Sequence, residues 1–270
     1  LILSAVRLAF LGDINGGPGR QVLAQQLPRL RERWAPDVVV ANAENAKGGS
    51  GLTPELYRLF RSYGIDAMTL GDHAYRDAKI IPFLEDPNEP IARPANLSRR
   101  APGKRFVRLR ADQKIPVDVW IVTVLGRIFM PLPADDPFAA VDAILETLPV
   151  AGAQRPVVLV EAHMETTSEK IALARYLEGR VTAVLGTHTH VPTADARLLR
   201  GGTAFITDVG MCGPYDTIIG RDAAQVLKAM TTSVHTPYEI GSGGEALCGA
   251  IVDVDPATGR ATAIERVELR

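Results

Sequence analysis

The sequence predicts an α/β fold, and three observations carry that reading. Between residues 6 and 71, short apolar or β-branched runs alternate with helical patterns in the order β-α-β-α-β. The runs are apolar at consecutive positions, as expected for parallel strands covered on both faces. The chain is also long enough to bury a sizeable core: 270 residues, 46% hydrophobic and 23% charged, an ordinary balance for a globular protein. Thirty Lys plus Arg against thirty-one Asp plus Glu leave a formal net charge of −1, so no global basic field points to nucleic acid or an anionic membrane.

In chain order, "VRLAFLG" reads as a strand, "RQVLAQQLPRLRERW" as an amphipathic helix, "DVVVAN" as a strand, "PELYRLFRSYG" as a helix and "DAMTLG" as a strand. "VDVWIVTVLG", "PVVLVEAH", "VTAVLGTHTH" and "GTAFITDVG" add strands, and "DPFAAVDAILETL" and "SEKIALARYLEG" add helices. The last of these follows Thr166, whose spacing to Glu169 fits a capping box. "AIVDVDPATGRATAIERVEL" reads as two strands around an Asp-Pro…Gly turn. A single domain therefore spans 6–270, and its Gly-rich stretch 210–246, with "GPYD" and "GSGG", is the candidate cap or lid.

Arg7 interrupts the apolar start and no basic stretch precedes it, so it reads as a strand and not as a signal peptide. No run approaches the roughly 18 apolar residues of a membrane span, and no membrane partner is expected. Cys212 and Cys248 lack CxxC spacing and are too few for a disulfide scaffold; free thiols in a reducing, cytoplasmic setting are the expectation.

Polar residues collect at the strand ends. Asp13 follows the first strand, Glu44 and Asn45 the second, Asp72 and His73 the third, His163 ends "PVVLVEAH", and His188 and His190 close "VTAVLGTHTH". Ligands of open α/β sheets bind beyond the carboxyl ends of strands. Four of the five histidines take such places; His235, in "TSVHTPYE", does not and reads as structural. In an extended chain His188 and His190 would face one side together. Imidazoles mixed with oxygen donors suit Fe, Mn or Zn, whereas a calcium site would be all oxygen. Two divalent ions about 3.5 to 4 Å apart clamp a phosphoryl group and generate a nucleophile from water at neutral pH, and a carboxylate such as Glu44 can bridge them.

The motifs "LGDINGGPGR", "VVVANAENAKGGSGLT", "LGDHAYRD", "EAHMETTSEK", "GTHTHVPTAD" and "FITDVGMCGPYDTIIG" together resemble the YmdB-type branch of the calcineurin-like metallophosphoesterases, from about residue 6 to the C-terminus. The resemblance implies a β-sandwich flanked by helices, αββα, with a dinuclear centre at the strand ends. The strand pattern alone does not separate that architecture from a single doubly wound sheet. By motif, Asp13, Asn45 and His190 would hold the first metal, Asp72, His163 and His188 the second, and Glu44 would bridge. His73 would stand outside the metals as proton donor to the leaving oxygen. The family's Gly-Asn-His motif reads Gly-Asp-His here, so Asp72 adds a negative charge where an amide is usual.

The implied reaction is hydrolysis of phosphodiesters or phosphomonoesters by metal-bridged hydroxide. The favoured substrates are 2′,3′-cyclic nucleotides, and the cofactors two divalent ions, Fe or Mn before Zn. Asn96 and Tyr215 are candidate pocket edges. An alternative reading is an RNA- or protein-binding regulator with vestigial hydrolysis, resting on the basic run "LSRRAPGKRFVRLRADQK", residues 97–114; RNA is the less favoured partner.

Overall fold

A computed structural model describes residues 5–149 and 156–270. In chain order the elements are β1 (Val6–Leu11), β2 (Asp13–Ile14), α1 (Gly16–Trp34), β3 (Val38–Asn42), α2 (Pro54–Ser62), β4 (Ala67–Thr69), α3 (Ile81–Glu85), β5 (Ile91–Ala92), β6 (Val107–Leu109) and β7 (Val119–Leu125). They continue with α4 (Pro137–Leu145), β8 (Val157–His163), α5 (Thr167–Tyr176), β9 (Ala183–Thr187), β10 (Arg197–Leu199), β11 (Thr203–Ile206), β12 (Met211–Gly213), α6 (Ala223–Thr232), β13 (Ala246–Asp255) and β14 (Arg260–Leu269).

The strands form two sheets. One runs β2-β12-β13-β1-β3-β4-β5, with β14 also paired to β13; the other runs β10-β11-β9-β8-β7-β6. Alternation along each strand shows why two sheets form. Leu8, Phe10, Val38 and Val40 point into one apolar layer with Ile121, Leu159 and Leu185, which is the interface between the sheets. Ala9, Leu11, Val39 and Ala41 point the other way, against Leu23, Leu27 and Leu30 of α1 and Tyr57 and Phe60 of α2. Val122, Val124, Val158 and Val160 pack outward on Val141 of α4 and Leu173 of α5. Three apolar layers between four structural layers make an αββα sandwich; a single doubly wound sheet would have two.

The expected parallel strands hold for β1-β3-β4-β5 and for β7-β8-β9-β11. The C-terminal hairpin departs from this pattern: β13 lies antiparallel to β1, so the chain end completes the first sheet.

Two other boundaries shift. Helix α1 begins four residues earlier than its apolar pattern, because Pro18 sits in the first turn, where a missing N–H costs nothing. Strand β9 ends at Thr187, since His188 and His190 adopt φ of 94° and 65°. At Thr166 the cap oxygen accepts from Glu169 N, but the Glu169 carboxylate turns to the Arg127 and Ile128 amides, so half of the expected box forms. Among the described residues no helix is long and apolar enough to cross a membrane.

Candidate metal centre

The carboxyl ends of the two sheets converge on one cluster. The first sheet delivers the carboxylates, Asp13 from β2, Glu44 just after β3 and Asp72 after β4, together with the Asn45 amide and His73. The second delivers imidazoles: His163 from the end of β8, and His188 and His190 after β9. Asp13, Glu44 and His163 are fully or almost fully buried.

Around His163 the atoms crowd: Nε2 lies 3.1 Å from Glu44 Oε1, 3.1 Å from Asp72 Oδ1 and 3.2 Å from His188 Nδ1. One donor atom from each of Glu44, Asp72, His163 and His188 falls within 4.8 Å of all the others. A second lobe adjoins it, where His190 Nε2 lies 3.7 Å from Asp13 Oδ1 and 3.3 Å from Asn45 Nδ2, and Asn45 Nδ2 donates to Asp13 Oδ1 at 3.2 Å. Glu44 touches both lobes, through His163 and through the Asn45 amide at 3.4 Å. His73 stands at the edge, its Nδ1 2.7 Å from Asn45 Oδ1 and its backbone N–H on Glu44 Oε2.

A single extended ribbon would aim His188 and His190 together. The left-handed backbone instead turns them to different lobes. Thr189 between them is pinned by Asp208, which accepts from its N–H at 3.2 Å and its hydroxyl at 2.8 Å. Asp208 is in turn paired with the wholly buried Lys170 at 2.7 Å.

The electrostatics call for positive charge. Burial raises the Asp13 pKa, but the hydrogen bond and charge of His190, with the charges of His163 and His188, outweigh it and hold the carboxyl below the usual range. Asp72 behaves alike: burial opposes ionisation, and hydrogen bonds to His163 and His188 overcome it. Burial lowers the His163 pKa, yet Glu44 and the bonds to Asp72 and Glu161 carry it well above the ordinary value. Without a cation, imidazole protons neutralise the carboxylates; a divalent ion can replace them. Room for one is preserved at Gly71, where a Cβ would lie 2.2 Å from His163 Nε2 and 2.4 Å from Glu44 Oε2. The donor set and this open cradle fit metal binding.

The model of the YmdB-like protein family matches residues 9–267. The chain belongs to that family. It is 40% identical over 263 residues to the "2′,3′-cyclic-nucleotide 2′-phosphodiesterase" of Bacillus subtilis, covering 97% of this chain and 96% of the relative. Among solved structures, a hypothetical protein from Thermus thermophilus is 42% identical with a TM-score of 0.88, covering 98% of this chain and 99% of that one. A novel phosphatase of Mycoplasma pneumoniae is 28% identical with a TM-score of 0.90, covering 99% and 94%.

Every motif residue that this YmdB-like chain offers at a strand end reaches the cluster, while His235 lies exposed beyond α6. The two expected pocket edges divide: Asn96 is buried and staples Leu125 to Asp135 through their backbones, whereas Tyr215, its hydroxyl bonded to the Met211 backbone, lines a cavity together with His190 and Ile219. In the basic run, Lys104 caps carbonyls at the end of α3, Arg105 bonds the Ala95 carbonyl, and Arg108 pairs with Asp118. Cys212 and Cys248 are free and buried.

Sequence reading missed the layer beneath the cluster. Glu161 accepts from Asn42 at 2.6 Å, Thr123 at 2.7 Å and Thr187 at 2.7 Å. Because the Thr187 proton goes to Glu161, its oxygen is left to accept from His163 Nδ1–H at 2.9 Å, which makes Nε2 the nitrogen that would offer its lone pair to an ion once the ion displaces its proton. The signal was present as single polar residues inside apolar strands. Thr123 and Glu161 are register partners across β7 and β8, as are His163 and Thr187 across β8 and β9.

Proposed function

We propose that this chain is a dinuclear-metal phosphoesterase that hydrolyses phosphodiesters, with 2′,3′-cyclic nucleotides as its substrates. The observation that carries the reading is the two-lobed donor cluster joined by Glu44, with His73 beside it, in a chain 40% identical to an enzyme named for that reaction. Asp13, Asn45 and His190 would hold one ion, and Asp72, His163 and His188 the other, with Glu44 shared. Imidazole and oxygen donors favour Fe or Mn, then Zn.

When bound, the ions supply Lewis acidity to the phosphoryl group and lower the pKa of the attacking water. The rest falls to the protein. Asn45 presents its amide nitrogen to the Asp13 lobe, so ligation by its oxygen requires the amide to turn over. Turned, the same amide donates to His73 Nδ1 and fixes the His73 proton on Nε2, the nitrogen free to protonate the departing oxygen. The part of 210–246 that follows β12 serves as the cap: the Ile219 carbonyl bonds His190 Nδ1 at 2.9 Å, and Ile219 and Arg221 line the cavity above the cluster. Free buried thiols accord with a reducing cytoplasm.

The test combines metal analysis of the untreated protein with a hydrolysis screen of 2′,3′-cyclic nucleotides and bis-p-nitrophenyl phosphate. His163→Ala should lose metal and turnover together, whereas His73→Ala keeps both ions and loses turnover. The reading fails if the metal-loaded protein cleaves no phosphoester. The residue roles are reversed if His73→Ala sheds an ion and His163→Ala does not.

A further inference from the structure

Arg221 lies in the cleft without an acid to answer it. It lines the same cavity of about 400 Å³ as Glu44, His73, His188 and His190. Among the described residues no carboxylate pairs with its guanidinium; the partner is the Gly49 carbonyl, at 2.8 Å from Nη2. Burial lowers its pKa, and no acidic group pulls it back up. Arg7 and Arg180, by contrast, are answered by Asp253 and Asp142. An unmatched, partly desolvated cation is costly unless an anion arrives.

The side chain is also held ready. Arg221 N–H donates to the Ile218 carbonyl and the Ile218 N–H to the Arg221 carbonyl, both at 3.0 Å, while a further bridge joins Arg221 to Ile240. Across the cleft, Gly49 has φ of 82°, and a Cβ there would come within 2.6 Å of Arg221 Nη1. Gly49 N–H in turn bonds the Asn45 carbonyl at 2.9 Å. The segment after β12 and the loop carrying Glu44 and Asn45 thus meet at this guanidinium. One of its five N–H donors is spent on Gly49, and the fork that remains matches the geometry of phosphate oxygens.

We propose that Arg221 is the phosphate-recognition residue of the cleft, binding non-bridging oxygens of the phosphoester and setting the site's demand for an anionic substrate. This rests on the phosphoesterase reading. It adds a substrate contact outside the metal-ligand set, made by the protein alone.

The experiment compares wild type, Arg221→Gln and Arg221→Lys as metal-loaded proteins. It measures metal content, thermal midpoint, calorimetric binding of orthophosphate, and kinetics on a 2′,3′-cyclic nucleotide. Arg221→Gln should retain its metals and midpoint, bind orthophosphate about 10- to 100-fold more weakly, and lose kcat/KM by a similar factor. Arg221→Lys should recover part of both, since it restores charge without the fork. Orthophosphate affinity and kcat/KM both within about twofold of wild type would overturn the assignment. So would parallel loss of metal and midpoint in both variants, which marks a staple to Gly49. If wild type cleaves no phosphoester yet its orthophosphate binding depends on Arg221, the phosphoesterase reading falls and the anion site stands.

Discussion

Replacing Lys170 with Met should destabilise the protein out of proportion to its distance from any substrate. Lys170 is 0% exposed and Asp208 1%, so the substitution strands a carboxylate in the interior. Its remaining donors are neutral: Thr189 N–H and hydroxyl, and Gly210 N–H at 2.9 Å. Breaking a buried pair from one side costs about 3 to 5 kcal/mol. At roughly 2.1 cal/mol/K per residue, unfolding 270 residues carries about 0.57 kcal/mol/K of entropy, so the thermal midpoint should fall by about 5 to 9 °C. The loss should extend to the metal centre, because Asp208 tethers Thr189, and Thr189 holds His188 and His190 in their left-handed turns. Calorimetric melting of metal-loaded and chelated protein, with a metal titration, reads both effects. The double variant Lys170→Met/Asp208→Asn, which removes the stranded charge and keeps an amide for Thr189, should regain part of the midpoint. A shift below about 2 °C in Lys170→Met, with unchanged metal affinity, would refute the argument.

Gly71→Ala places a methyl on His163 and Glu44; metal affinity should fall at least about tenfold while the circular dichroism stays native, and a variant with its full metal complement would contradict the cradle. Asp72→Asn leaves four metal charges offset by Asp13 and Glu44 alone. It should bind the second ion less tightly and move the alkaline rise of the pH–rate profile to lower pH, and an unchanged affinity and profile would exclude Asp72 as a ligand. Since the His163 pKa is raised in the folded protein, the stability it lends the cation-free form is present at low pH and lost as pH rises through that value. The gain in thermal midpoint on adding metal should therefore grow as pH rises above the ordinary histidine range, and a flat difference would count against proton–metal competition at His163.

The ligand-bearing positions were legible because each follows an apolar strand, and a strand's end is marked by where its apolar run stops. Their mutual geometry was not. His188 and His190 looked like neighbours on one face, and what turns them apart is Asp208, eighteen residues beyond His190, anchored by a lysine that reads in sequence as an ordinary helix residue. The strand pattern likewise showed runs buried on both sides, which a doubly wound sheet and a sandwich share; the decision lies in which neighbour each alternate side chain meets. Helix α6 lies inside the Gly-rich stretch read as a cap, and Val226 is its sole buried side chain, so no core-facing apolar run marks it in the sequence.

The division of labour between the sheets has a mechanical consequence. Carboxylates come from one wall of the sandwich and imidazoles from the other, so ions seated among them would rivet the two walls at their open end. Without them that end is spanned by side-chain contacts such as His163 to Glu44 and Asp72, His190 to Asp13 and Asn45, and Asn42 to Glu161. A chelator would then do more than silence an enzyme: it would draw the rivets, and the hinge of the sandwich would be free to breathe.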